Sequence, residues 1–208
     1  GGWSNTRFTP GLTSKQRGSE GPMYEAVAGS HIYVYGTGGN PSKEELAARR
    51  AQAASAAEWN GLDGRIMVHP RVVADKDIRS GDYVTSNLIL FGTRETNLLI
   101  EKFADNLPVH LNADAATGYG MVYVFPLNRH YVIVNSGLPW WTRPGSTERQ
   151  GGLIFSGNIV EALKKFQDFI LFKEAPDNII VQGRFDNNWK LPADAYATLK
   201  NSGVVTVK

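Results

Sequence analysis

HIYVYGTGGN at His31–Asn40 runs directly into PSKEELAARRAQAASAAEWN at Pro41–Asn60, and the reading of this junction decides the fold. Ile32, Tyr33, Val34 and Tyr35 are β-branched or aromatic and suit a pleated strand, while Gly36, Gly38 and Gly39 permit the tight turn after it. Pro41 fits a first helical turn. Ser42 with Glu45 three residues on forms a capping box, in which each side chain satisfies the other's backbone donor. Leu46, Ala47, Ala51, Ala54 and Ala57 then recur at three- and four-residue steps, a small-residue stripe that lets a helix lie close on a sheet. Strand, turn and helix are the first half of a βαβ unit, whose parallel strands need helices over both faces.

Before this unit, residues 1–30 hold Gly1, Gly2, Pro10, Gly11, Gly18, Gly21, Pro22 and Gly29 with no sustained period. They read as an extended lead-in pinned by Trp3 and Phe8, leaving one α/β domain over 31–208. After it, Gly61 and Gly64 bracket the helix exit and RIMVH at Arg65–His69 gives a second strand limited by Pro70. Val72–Gly81 reads as a polar connection. NLILF at Asn87–Phe91 is the most continuous apolar run, as expected of a central parallel strand covered on both faces. A helix is expected over Glu95–Asn106, with Leu99, Ile100 and Phe103 on one side and Pro108 forbidding continuation.

Val109–Leu111, Gly118–Phe125 and Tyr131–Asn135 are strand-like and separated by turns, which predicts an antiparallel hairpin added to the sheet edge. Pro139–Gly152 reads as a loop. Ser156 caps an expected third helix with Ile159, Leu163, Phe166 and Ile170 as its stripe, and NIIVQG at Asn178–Gly183 supplies a last core strand. Val204–Val207 closes as an edge strand. The alternation predicts a three-layer α/β sandwich with a mostly parallel sheet, flavodoxin-like or Rossmann-like in order, plus the hairpin.

Composition limits the function. The 208 residues are 42% apolar and 20% charged, enough for a sizeable core, and 22 Lys and Arg against 20 Asp and Glu are dispersed, unlike a nucleic-acid-binding surface. With no cysteine, disulfides and thiolate chemistry are excluded. No apolar run approaches the roughly 20 residues of a bilayer span. Gly1-Gly2-Trp3 stands where a methionine would open a chain, and it reads as a processed protein or a piece of a longer one.

Three turns follow expected strands: Gly36-Thr37-Gly38-Gly39-Asn40, Gly92-Thr93 through Asn97, and Asn135-Ser136. Parallel strands would gather them on the carboxyl edge of the sheet, where open α/β folds bind ligands, and amides at the helix start could hold an anion. GTGGN is neither G-x-G-x-x-G nor a phosphate loop, so tight-turn chemistry is the competing reading. Ser136 lies outside a G-x-S-x-G elbow. His31, His69, His110 and His130 show no ligand spacing, so neither a catalytic set nor a metal or cofactor is assigned. Asp75, Asp77 and Asp82 suggest paired carboxylates, against which solvated charge in a polar connection is the commoner reading. Trp140-Trp141 suits contact with a carbohydrate or a partner, or else one indole covers the core with the other half-buried.

Gly21-Pro22 leading into HIYVYGT, DYVTSNLILFGTRETN with Leu107-Pro108 after it, YVIVNSG, and GRFDNNWKL at Gly183–Leu191 together carry a resemblance over roughly residues 20–191. The chain resembles the C-terminal α/β module of bacterial multidomain proteins whose catalytic part is a prolyl-oligopeptidase or polyhydroxybutyrate-depolymerase type α/β-hydrolase. That resemblance implies a non-catalytic accessory or interaction domain, linked to or associated with an esterase- or peptidase-like hydrolase domain that carries the serine, acid and histidine. It also implies export to the periplasm or beyond the cell, with a cytoplasmic location left open. A small-ligand or anion-binding domain and carbohydrate contact are the alternatives.

Overall fold

The computed structural model describes residues 14–16, 18–57, 70–127, 129–141, 163 and 165–208. In chain order the elements are α1 (Glu25–Ala28), β1 (His31–Tyr35), α2 (Lys43–Ala57), β2 (Arg71–Ala74), α3 (Asp82–Thr85), β3 (Asn87–Phe91) and α4 (Leu98–Lys102). There follow β4 (Val109–Leu111), β5 (Tyr119–Leu127), β6 (His130–Gly137), β7 (Phe169–Lys173), β8 (Ile179–Gly183), α5 (Ala193–Ser202) and β9 (Val205–Val207).

A seven-stranded sheet runs in the order β2-β1-β3-β6-β5-β7-β8, and β4 pairs with β9 in a separate two-stranded antiparallel sheet. Strands β2, β1, β3 and β6 are mutually parallel, whereas β5, β7 and β8 join through antiparallel pairs. This overturns the expected three-layer, mostly parallel sandwich of flavodoxin-like or Rossmann-like order: the sheet is mixed, and strands dominate. Of the α-helices among the described residues, only α2, at 15 residues, exceeds the ten of α5.

The reason lies in the connections. Only two positions separate β5 from β6, and Arg129 takes the left-handed φ of 69° that a tight hairpin demands. Parallel strands need a crossover of a dozen residues or more, so a link this short enforces antiparallel pairing. The hairpin therefore forms as the sequence suggests, but it stands inside the sheet, because β7 and β8 extend pairing beyond β5.

Other expectations shift for identifiable reasons. The span RIMVH at 65–69 lies outside the described residues, and β2 begins directly after Pro70, inside what read as a polar connection. The helix expected to reach Ile170 meets a strand, since Phe169, Ile170, Leu171 and Phe172 are buried consecutively. A run buried on both sides has no period by which strand and helix can be told apart; Ser156 and Ile159 lie outside the described residues. β8 is an edge strand with Ile179 exposed, not a core strand. The expected helix over 95–106 contracts to α4, and the lead-in contains α1, followed by a glycine. Trp3 and Phe8 lie outside the described residues.

At the centre, every residue of β3 is buried, as are its neighbours Val34, Val132 and Val134. Each apolar side chain among them contributes roughly 1.5–3 kcal/mol by leaving water. α2 lies against β1 and β2, and α1 against β3 and β6. The β4–β9 pair is tied to the main sheet by Tyr123, fully buried, whose hydroxyl donates to Val109 O at 2.9 Å.

His110 of β4 is 7% exposed, and its Nε2–H donates to Ala104 O at 3.1 Å, since a carbonyl can only accept. Burial holds this imidazole below the usual histidine range, against an opposing pull from the Ala104 carbonyl. A depressed folded value means that the unfolded chain binds the proton more readily, so this contribution is complete above a pH of about 6.5 and is lost as pH falls below it. Urea denaturation between pH 7.5 and 5.5 will show stability falling with pH, and His110→Gln will flatten that slope. A second expectation concerns Tyr123→Phe, which orphans the buried Val109 carbonyl and will cost about 1–3 kcal/mol in the same assay.

Candidate functional site

Parallel pairing of β1, β3 and β6 brings the first two turns to one edge of the sheet beside Asn135 and Ser136, which lie within β6, paired with β5, and not in the turn expected there. Gly36 and Gly38 pack on the Thr96–Asn97 backbone; a Cβ on Gly36 would run into the Thr96 carbonyl, so glycine is required there by space. Gly38 N–H donates to Thr96 O at 3.0 Å, Gly92 N–H to Asn135 O at 2.9 Å, and Ser136 Oγ to Gly92 O at 2.7 Å.

Asp75 joins these turns from the end of β2. Its Oδ2 accepts from Thr37 N–H (2.9 Å) and Leu98 N–H (2.7 Å), and its Oδ1 from Thr37 Oγ1 (2.6 Å) and Lys76 N–H (2.7 Å). The residue is 3% exposed, so the solvated-charge reading fails for Asp75. It fails for Asp82 as well, buried with Oδ1 2.6 Å from Arg71 Nη1; the bond from that guanidinium holds the carboxyl below the usual carboxylate range. Asp77 is exposed, as expected.

Asn97, wholly buried, caps α4 by accepting from Leu99 and Ile100 N–H and donates its amide to Phe91 O at 3.0 Å and Val34 O at 3.4 Å. Thr93 is buried and its N–H donates to Thr96 Oγ1 at 2.8 Å. From α2, Arg49 Nη1 donates to Gly38 O at 2.8 Å, with Gly36 O and Thr96 O at 3.4 Å. The capping box forms as read: Ser42 N–H donates to Glu45 Oε2 at 2.8 Å and Glu45 N–H to Ser42 Oγ at 3.1 Å. A carboxylate of the chain thus stands where an incoming anion would seek the helix start. Gly39 and Asn40 remain exposed, both with left-handed φ.

Trp141 is 5% exposed and meets Phe91 edge to face at 5.4 Å, so it belongs to the core. Trp140 is half-buried, braced by Phe166 at 5.4 Å, and its Nε1–H donates to Asn135 Oδ1 at 2.9 Å. Asn135 also donates to Leu90 O at 3.3 Å. Behind the indoles a cavity of about 20 Å³ is lined by Tyr33, Ile89, Phe91, Ile133 and Trp141 among others, room for about one water.

The described histidines are spent on carbonyls: His31 Nδ1 faces Gly29 O at 2.8 Å and His130 Nε2 faces Val84 O at 2.8 Å, besides the His110 bond. His69 lies outside the described residues. Among the described residues no group of three His, Asp or Glu is placed to hold a metal ion, and no helix is long and apolar enough to cross a membrane.

The sequence reading missed Arg49, and it named Asp75 and Thr96 without the bonds they make at this edge. Asp75 was legible only as the residue that ends the RVVA strand, a signal lost once the second strand was placed at 65–69. Comparison of the chain with family models, with curated proteins and with solved structures finds no match. None of the three ties it to prolyl-oligopeptidase-like hydrolases, so that resemblance rests on the stretches quoted above.

Asp75→Asn keeps the shape but turns one acceptor atom into a donor facing at least one backbone N–H, whichever way the amide lies. It will cost about 2–4 kcal/mol by urea denaturation.

Proposed function

We propose that this chain is a non-catalytic accessory or interaction module of a larger exported hydrolase, packing against the catalytic domain or orienting its substrate. One observation carries the reading: the polar side chains at the carboxyl edge are committed to holding the edge together. Asp75 accepts four bonds, Asn97 serves four backbone groups, and the Ser136 hydroxyl donates to Gly92 O. A nucleophile needs a base within reach, and a ligand needs donors not already employed. The link to a hydrolase domain, and with it export, follows from the sequence resemblance.

A second reading, carbohydrate contact, draws support from Trp140, a half-buried indole fixed from behind by Asn135 and Phe166. It engages Trp140 alone, since Trp141 is enclosed.

Incubated with p-nitrophenyl acetate and butyrate, the chain will show no turnover above buffer, and Ser136→Ala will behave identically. Saturable hydrolysis that disappears in Ser136→Ala would refute the module reading. For the second reading, an oligosaccharide-dependent fluorescence change present in the wild type and absent in Trp140→Phe is the deciding signal.

A further inference from the structure

The β4–β9 pair stands apart from the seven-stranded sheet, and at its middle sits a buried group that can take up a proton. Val109 faces Val207, His110 faces Thr206 and Leu111 faces Val205. Backbone bonds close the ladder at both ends, Asn112 N–H to Val204 O at 3.0 Å and Lys208 N–H to Pro108 O at 3.1 Å. A two-stranded ladder is marginal by itself and holds through what packs on it. Here that is α5, which lies against β9 and β8, together with the Tyr123 hydroxyl on Val109 O. Two side-chain bonds add to the pair, Thr206 Oγ1 to Asn112 Oδ1 at 3.0 Å and Asn112 Nδ2 to Gly203 O at 3.3 Å, but both are exposed and compete with water. A short ladder with few attachments is the kind of segment that opens before the rest of a fold.

His110 sets the condition for opening. A neutral imidazole carries one proton, and the bond from Nε2 to Ala104 O uses it, so an incoming proton goes to Nδ1 and leaves a cation in the interior. Loss of water is the largest influence on the ring and favours its neutral form. The Ala104 carbonyl attracts an imidazolium, Lys208 of the β9 end and Arg94 of the turn before α4 repel it, and Glu95 of that turn attracts it. Lys208 is itself paired with Asp105, the residue after Ala104, at 3.2 Å. The net result is a ring that resists protonation while the ladder is closed.

When the ladder parts, the ring is hydrated and binds its proton near the ordinary pH of about 6.5. The open form therefore takes up protons more readily than the closed one. Opening becomes easier as pH falls through that range and stays hard above it.

We propose that the β4–β9 pair is a proton-gated unit of the fold: proton uptake at His110 favours parting of this ladder while the seven-stranded sheet stays closed. The proposal is independent of the accessory-module reading. It goes beyond a loss of global stability, because it assigns the opening to one pair of strands.

Amide hydrogen exchange reads it. Protection of the Asn112 and Lys208 N–H groups, corrected for intrinsic exchange, will fall several-fold from pH 7.5 to 5.5, with a ceiling of about tenfold set by a single histidine. Across sub-denaturing urea at pH 5.5 that protection will stay flat. Protection of Ile89 and Leu90 in β3 will be higher and will fall with urea, as global unfolding requires. His110→Gln, which keeps a donor for Ala104 O and cannot take the proton, will abolish the pH dependence at Asn112 and Lys208. Protection at these two amides that ignores pH, that falls with urea in step with β3, or that keeps its pH dependence in His110→Gln overturns the gate. Should His110→Gln not fold, titration of the wild-type ring by NMR takes its place: a His110 value below the ordinary one of about 6.5 is expected, and a value at or above it overturns the proposal.

Discussion

A carboxylate that carries four hydrogen bonds in a nearly dry setting leaves its donors no alternative position, and Asp75 is that group. Thr37, Lys76 and Leu98 belong to the turn after β1, the end of β2 and the start of α4. Those segments are far apart in sequence, so the bonds to one side chain fix two strand ends and a helix start relative to each other. Asn97 repeats the device one residue before α4, joining the ends of β1 and β3 to the helix cap. Gly36 lets the two turns close to backbone contact. Without these groups the parallel half of the sheet would end in unpaired amides and carbonyls, each costly when buried.

The two buried carboxylates differ in what completes them. Asp75 is finished by backbone amides and one hydroxyl, partners that cannot leave without unfolding the edge. Asp168 is finished by the Phe185 amide and the Lys15 ammonium, with one oxygen left over. Solvation penalties are similar in kind for both, but only the second is balanced by a charged side chain.

How much of this was visible beforehand varied with the range of the interaction. The capping box, the β1 turn and the β3 strand are local, set by residues within a few positions of each other, and they stand where the sequence put them. The mixed sheet was less legible, because pairing partners of β5 and β7 lie across the chain and periodicity says nothing about who pairs with whom. Phe169–Phe172 is the clearest case: four consecutive buried residues suit a central strand, yet their neighbours Leu163 and Phe166 supply a helical spacing that competes. The first two turns behaved as turns, and Thr93, Asn97, Asn135 and Ser136 are buried with their polar atoms bonded within the chain.

The sequence by itself determined the short-range devices: where a helix could start, where glycine had to bend the chain, which runs were apolar enough to be buried, and that thiol chemistry was impossible. Only the tertiary structure decided the sheet order, the burial of Asp75 and Asp168, and the enclosure of Lys15 between a carboxylate and an indole. The physical reason is that a side chain's charge has no fixed meaning along the chain. Water dominates it at a loop and a few ångströms of protein dominate it in a core, and which of these surrounds it is settled by residues more than a hundred positions away.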